Sequence, residues 1–296
     1  MITKNAMQLK AYIKNKAAEK NISAQLVMQN YMLERLLERI SISKYKNNFI
    51  LKGGFLISAI VGLDTRATMD LDTTIKGFDL TVSNLQEIFE SICSVKIEDD
   101  VTFEMYNISE IREGDEYPGY RVHLKALYPP LAVPLTVDVT TGDKITPREI
   151  EYTFKLLFDD KTISIMAYNL ETVLAEKLET VISRGQANTR PRDFYDIHIL
   201  YSLRGNSCDM SILKQALEQT SLKRGSTPDK EKKNDEASGS LDEDTISEEK
   251  QTINEIENNS QEQQNIEHTP PASTPTNEKP TNTLEEALTM LLFFSP

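Results

Sequence analysis

Met69-Asp70-Leu71-Asp72-Thr73-Thr74-Ile75 interleaves acidic and apolar residues and then turns β-branched, the composition of a strand. Successive strand side chains leave opposite faces, so Asp70 and Asp72 share a face while Leu71 points into the core. Two negative charges on one face repel, and a divalent cation with oxygen ligands relieves them. An Asp-x-Asp pair also occurs by chance on surfaces and in turns, so its neighbours decide what it means.

Upstream, Phe49-Ile50-Leu51-Lys52, then Gly53-Gly54, then an apolar run from Phe55 to Val61 read as strand, tight turn and helix. The glycine pair either simply makes the turn or lets backbone N–H groups approach a phosphate beside the positive helix end. Downstream, Val101-Phe103-Met105, Val122-Leu124-Ala126 and Leu135-Val137-Val139 each alternate with polar residues, giving three half-buried strands. Asp138 lies between two valines of the last one, where a carboxylate needs a partner or a task. Converging on Asp70 and Asp72, it would complete a three-carboxylate metal set. Such a set suits two-metal phosphoryl transfer with Mg2+ or Mn2+ and a nucleoside triphosphate.

Helical spacing governs both flanks. Leu26, Val27, Tyr31, Leu33, Leu36, Leu37 and Ile40 recur every three or four residues, with Glu34, Arg35, Glu38 and Arg39 between them, predicting an amphipathic helix that starts at Ser23. Leu85, Ile88, Phe89 and Ile92 mark another. Leu170, Val173, Leu174, Leu178, Val181 and Ile182 form one stripe, a further helix opens at Pro191, and a last one spans Met210 to Leu222.

These helices carry Lys177, Arg184, Arg190, Arg192, Asp193 and Asp196 around the stretch Gly185 to Thr189. Lysine and arginines there can hold phosphates with an aspartate orienting them, or form an ordinary ion-pair network between helices. The network alone leaves Asp196 unexplained beside Phe194, Ile197 and Ile199.

With 46 acidic and 33 basic residues the chain carries −13, which by itself argues against a nucleic-acid partner. Residues 225–283, however, hold five lysines against fourteen acidic residues, a net of −9, leaving residues 1–224 close to neutral. That segment has no aromatic residue and five prolines, so it is expected to be disordered. The apolar Leu284 to Phe294 could form a short terminal helix. Only Cys93 and Cys208 occur, without metal-ligand spacing, no secretory pattern opens at Met1, and no apolar run approaches the roughly 20 residues that span a bilayer. A reduced, cytoplasmic protein with no membrane partner is expected.

Four blocks together resemble the AbiEii/AbiGii toxin family of nucleotidyltransferases: Tyr31 to Leu37, Phe49 to Gly54, Arg66 to Asp72, and Glu176-Lys177-Leu178 followed by Asn188 to Asp196. The resemblance covers about residues 5–224 and implies an α+β fold, a polymerase beta-like mixed sheet with flanking helices. By it, residues 1–165 would be the nucleotidyltransferase domain and 166–224 a shortened helical domain, ahead of the 225–283 tail and the 284–296 segment. It implies transfer of a nucleoside monophosphate, with GTP among the nucleotides used, to RNA such as the 3′ acceptor end of tRNA. It also implies a type IV toxin-antitoxin or phage-defence setting, with an AbiEi-like antitoxin acting mainly at the operon. It places metal on Asp70, Asp72 and Asp138 and essential roles on Lys177 and Asp193. Lys52, Gly53, Gly54, Thr68, Arg184, Arg190 and Asp196 would serve the nucleotide, Thr68 standing where serine is the familiar choice. A catalytically idle nucleotide-binding module is the alternative; a kinase-like reading lacks any G-x-G-x-x-G loop.

Overall fold

Strands form wherever the period-two pattern occurs, and they assemble into one seven-stranded mixed sheet. The computed structural model describes residues 5–111, 119–158, 161–184 and 190–226, so the expectations for the acidic tail and the Leu284 to Phe294 segment lie outside the described residues. In chain order the elements are α1 (Ala6–Lys20), α2 (Ala24–Ile42), β1 (Phe49–Lys52), α3 (Gly53–Val61), β2 (Leu71–Ile75) and α4 (Val82–Cys93). There follow β3 (Thr102–Glu110), β4 (Gly119–Tyr128), β5 (Leu131–Thr140), β6 (Ile150–Lys155), β7 (Thr162–Ala167), α5 (Leu170–Arg184), α6 (Pro191–Arg204) and α7 (Met210–Arg224). The spatial order is β3-β4-β5-β2-β1-β7-β6. At its centre β1 runs antiparallel to β2, while β2 is parallel to β5 and β1 to β7. The fold is therefore α+β, as the resemblance implies.

One sheet face is apolar: Leu71, Val122, Leu124, Val137 and Val139 are fully buried. The other face carries the polar alternates of the same strands. The β6–β7 hairpin was not among the predicted strands; its buried Phe154, Ile163 and Ile165 alternate with polar residues, and β7 pairs with β1.

Ser23 caps α2, accepting from the Leu26 N–H at 3.1 Å, and Pro191 occupies the first turn of α6, both as predicted. Helix α2 departs from the amphipathic expectation, because its charged side is buried as well. Arg39 makes a two-pronged pair with buried Asp99 (2.8 and 2.9 Å), Arg35 pairs with Glu38 at 2.9 Å, and Glu34 accepts from the Leu157 N–H at 2.9 Å. Packing from both sides closes over charges that sequence periodicity assigns to solvent. Burial pushes the Glu34 carboxyl up to about 8, although that N–H and Arg35 pull the other way. Ile182, expected on an apolar stripe, is exposed, as are Phe194 and Leu203 of α6.

Candidate active site

The β2 register sets the acidic corner. Asp72 lies opposite Asp138 on parallel β5, so both side chains leave the same, non-core face, and Asp70 precedes the strand by one residue on that face. Asp70 is exposed and accepts from the Thr136 hydroxyl at 2.6 Å. Asp72 is half-buried; burial raises its carboxyl above the ordinary range, and the charges of Asp138 and Asp70 push the same way. The structure thus brings the three predicted carboxylates to one corner.

Asp138 already has a partner that the sequence reading did not name. Arg121, opposite it on β4, donates to both of its oxygens at 2.7 Å, and those bonds drive the guanidinium's affinity for its proton still higher. Among the described residues, no group of three His, Cys, Asp or Glu side chains stands arranged to hold a metal ion.

The glycine pair is more than a turn. Gly53 and Gly54 are the first two residues of α3, and Gly53 has φ +64°, a left-handed conformation that disfavours side chains. A Cβ on Gly53 would stand 2.2 Å from Asp72 Oδ2, while the Gly54 N–H donates to that oxygen at 3.3 Å. The helix start is therefore fitted against the carboxylate.

Beside this corner opens a cleft of about 480 Å³, lined by Lys52, Gly53, Gly54, Arg66, Thr68, Asp70, Asp72, Glu176, Lys177, Arg190, Arg192, Asp193 and Arg224. Nine of the predicted site residues line it, with Arg66, Glu176, Arg192 and Arg224 added. Asp138 stands outside it on β5, and Arg184 sits exposed in the last turn of α5. Asp196 is fully buried behind the wall, holding Arg66 (2.6 and 3.3 Å) and Lys177 (3.1 Å). Lys177 also donates to one oxygen of Asp193 at 2.7 Å; the other, Asp193 Oδ2, is buried without a hydrogen-bond partner among the described residues.

Lys52 reaches the cleft wall, but its ammonium pairs with buried Asp143, which also binds Lys223 of α7, the Tyr168 hydroxyl (2.9 Å) and the Thr140 hydroxyl (3.0 Å). Burial alone would raise the Asp143 carboxyl; Lys52 and Lys223 outweigh it and hold the group well below its usual range. Arg224 is fixed by Glu179 and by the Thr180 hydroxyl at 3.0 Å. Arg66 and Arg192 stood inside recognised blocks, whereas Asp143, Lys223 and Arg224 carry no local signal: only the fold brings the end of α7 to β1.

The family profile of the nucleotidyl transferase AbiEii toxin of type IV toxin-antitoxin systems matches residues 35–286. The chain belongs to that family. The AbiEii match begins later and runs further than the residues 5–224 that the motifs suggest. A comparison with curated proteins found no match. Solved structures similar to this AbiEii chain include a provisionally assigned nucleotidyltransferase from H. pylori (16% identity, 68% of this chain and 78% of that one, TM-score 0.44). They also include JHP933 from Helicobacter pylori (14%, 79% and 99%, 0.39) and an antigenic nucleotidyltransferase-like protein from Paracoccidioides brasiliensis (17%, 66% and 89%, 0.39). Membership makes this a nucleotidyltransferase toxin of the type IV class, whose systems pair it with an antitoxin. Among the described residues no helix is long and apolar enough to cross a membrane.

Proposed function

We propose that the chain transfers a nucleoside monophosphate from a nucleoside triphosphate to an acceptor hydroxyl on RNA, with Mg2+ or Mn2+ bound at the acidic corner. The supporting observation is the juxtaposition of Asp70, Asp72 and Asp138 with a cleft in which Lys52, Arg66, Lys177 and Arg224 are each held by a carboxylate. The donor set fits a hard cation: carboxylate oxygens, with half-buried Asp72 raised by burial and then by the charges of Asp138 and Asp70. Asp70 and Asp72 would hold it, joined by Asp138 once Arg121 releases an oxygen. Bound there, it would supply charge neutralisation at the reacting phosphate.

The chain's own groups do the rest. The N–H groups at the start of α3 and Arg66, Lys177 and Arg190 bind the triphosphate, with Asp196 orienting two of those cations. Asp193 holds the Lys177 ammonium through one carboxylate oxygen. The acceptor oxygen bonds to the α-phosphorus, the bond to the β-phosphate oxygen breaks, pyrophosphate leaves, and the hydroxyl proton passes to Asp138. A tRNA 3′ end as acceptor, GTP as donor, a phage-defence role and an operon-acting antitoxin all belong to this proposal.

The test incubates the full chain with labelled triphosphates, Mg2+ and total RNA. Labelled RNA is expected with wild type and absent with Asp70→Ala; equal labelling by both sinks the reaction. The pairing of Asp138 with Arg121 favours one second reading, a nucleotide binder without turnover, whose signature is saturable triphosphate binding with no product.

A further inference from the structure

The triphosphate cleft lies on the β1 side of β2, whereas Asp138 lies on the β5 side, outside it. In a displacement at phosphorus the attacking and leaving oxygens stand roughly in line on opposite sides. Pyrophosphate leaving into the cleft thus requires the acceptor to arrive over β5, β4 and β3.

That side of the sheet is furnished for a polyanion with unstacked bases. Arg121, His123 and Lys125 alternate along β4 and share the solvent face with Asp138, their alternates Val122, Leu124 and Ala126 being fully buried. From Arg121 to Lys125 the strip runs roughly 14 Å. Tyr106 of β3, 54% exposed, stands at the bulge between Met105 and Asn107. Its ring centre lies 5.8 Å from that of His123, and Lys125 Nζ is 5.3 Å from it. Exposed aromatic rings on a sheet face with cations beside them are what single-stranded RNA uses for stacking and backbone contact. Glu104, opposite Lys125, opposes a polyanion, which leaves the ring to carry most of the contact.

We infer that the solvent face of β3 and β4, centred on Tyr106, His123 and Lys125, is the acceptor platform and takes an unpaired RNA 3′ end. This rests on the reaction proposed above. Arg121 closes the inner end of the strip by holding Asp138.

The experiment measures anisotropy of a fluorescein-labelled 12-nucleotide single-stranded RNA, and of its blunt duplex, on the full chain with wild type, Tyr106→Ala, Lys125→Ala and the double variant. It adds separate KM values for RNA and for triphosphate. Tighter binding of the single strand than the duplex is expected. Tyr106→Ala should weaken it about five-fold or more, since a stacked base contributes about 1 kcal/mol or more. Lys125→Ala should reduce the slope of affinity against salt by about one. KM for triphosphate should stay within about two-fold of wild type. An RNA affinity unchanged in the double variant, an equal loss of triphosphate affinity, or transfer to a protein without single-strand binding overturns the platform. Anisotropy needs no turnover, so binding through Tyr106 and Lys125 without transfer sinks the reaction and supports the platform. Transfer to RNA with KM unmoved by the double variant does the reverse.

Discussion

Replacing each glycine of the pair by alanine should give opposite outcomes, although the two residues are adjacent. Gly53→Ala puts an L residue at φ +64°, which costs about 1–2 kcal/mol. Its Cβ would stand 2.2 Å from Asp72 Oδ2 and 2.7 Å from Asp72 Cβ, a contact that only movement relieves; forced shifts of this kind cost about 1–3 kcal/mol. Together these predict a fall in melting temperature on the order of 10 °C for a domain of this size. Asp72 would also be displaced from its place beside Asp70. A Cβ on Gly54 would meet Thr68 Oγ1 at 3.0 Å and Arg66 Nη2 at 3.1 Å, both side-chain ends, at a backbone conformation alanine accepts. Helix propensity even favours the change by about 0.5–1 kcal/mol. Gly54→Ala should therefore melt near wild type but narrow the space between α3 and Thr68, raising KM for triphosphate. Thermal unfolding, Mn2+ titration by calorimetry and steady-state kinetics read the three effects. A Gly53→Ala protein melting within about 2 °C of wild type, or less damaged than Gly54→Ala, refutes the fitted contact between helix start and carboxylate.

Asp196→Asn removes the charge that holds Arg66 and Lys177 and should destabilise by about 3–5 kcal/mol in urea unfolding, with KM for triphosphate raised more than kcat is lowered. Asp143→Asn leaves Lys52 and Lys223 without their shared carboxylate, with a similar loss at pH 7. Because the folded-state pKa of Asp143 is depressed, its contribution is present above the ordinary carboxylate range and lost as pH falls, so the gap between wild type and variant should shrink towards acid; a constant gap rules this out. Glu34 is the opposite case. Its folded pKa is raised to about 8, so the folded state binds the extra proton, and this contribution is present below the ordinary glutamate range and lost as pH rises through about 8. Glu34→Gln should gain on wild type between pH 5 and 9 by on the order of a few kcal/mol, and parallel melting curves over that range would dismiss the idea.

What was legible in the sequence was what local periodicity and local chemistry encode. Strands β2 to β5 alternate because one sheet face is core, and Asp72 and Asp138 could be placed on one face because parity along a strand is fixed once burial is. The β2 to β5 pairing that sets them side by side is a long-range choice with no local mark. Neither is the contact of Lys223 and Arg224 with the β1 end and α5, which depends on how α7 returns. Charge misled in both directions: Glu34, Arg35, Glu38 and Arg39 are polar by type but buried by packing, and Asp196, read as a nucleotide contact, orients cations from behind the wall. Arg121 was silent because an arginine on an alternating strand looks like any solvated residue until its register partner is known.

The site's charges fall into two classes with different consequences. Four of the cleft cations have carboxylates of their own: Asp143 for Lys52, Asp196 for Arg66 and Lys177, Glu179 for Arg224. Fixed in this way, they are oriented before a triphosphate arrives, so little reorganisation is spent on binding, which is the condition under which electrostatic stabilisation of a developing charge is largest. The acidic corner is arranged the other way. Asp70 accepts from the Thr136 hydroxyl and Asp72 from the Gly54 N–H, while Asp138 has Arg121, whose side chain is 41% exposed and can leave the carboxylate without unpacking the core. On the proposed reaction, the site is stiff where it would meet phosphate and adjustable where it would meet a cation. It completes its third carboxylate only when something displaces Arg121. On the platform reading that something is the RNA backbone, which offers the guanidinium a phosphate in exchange for Asp138.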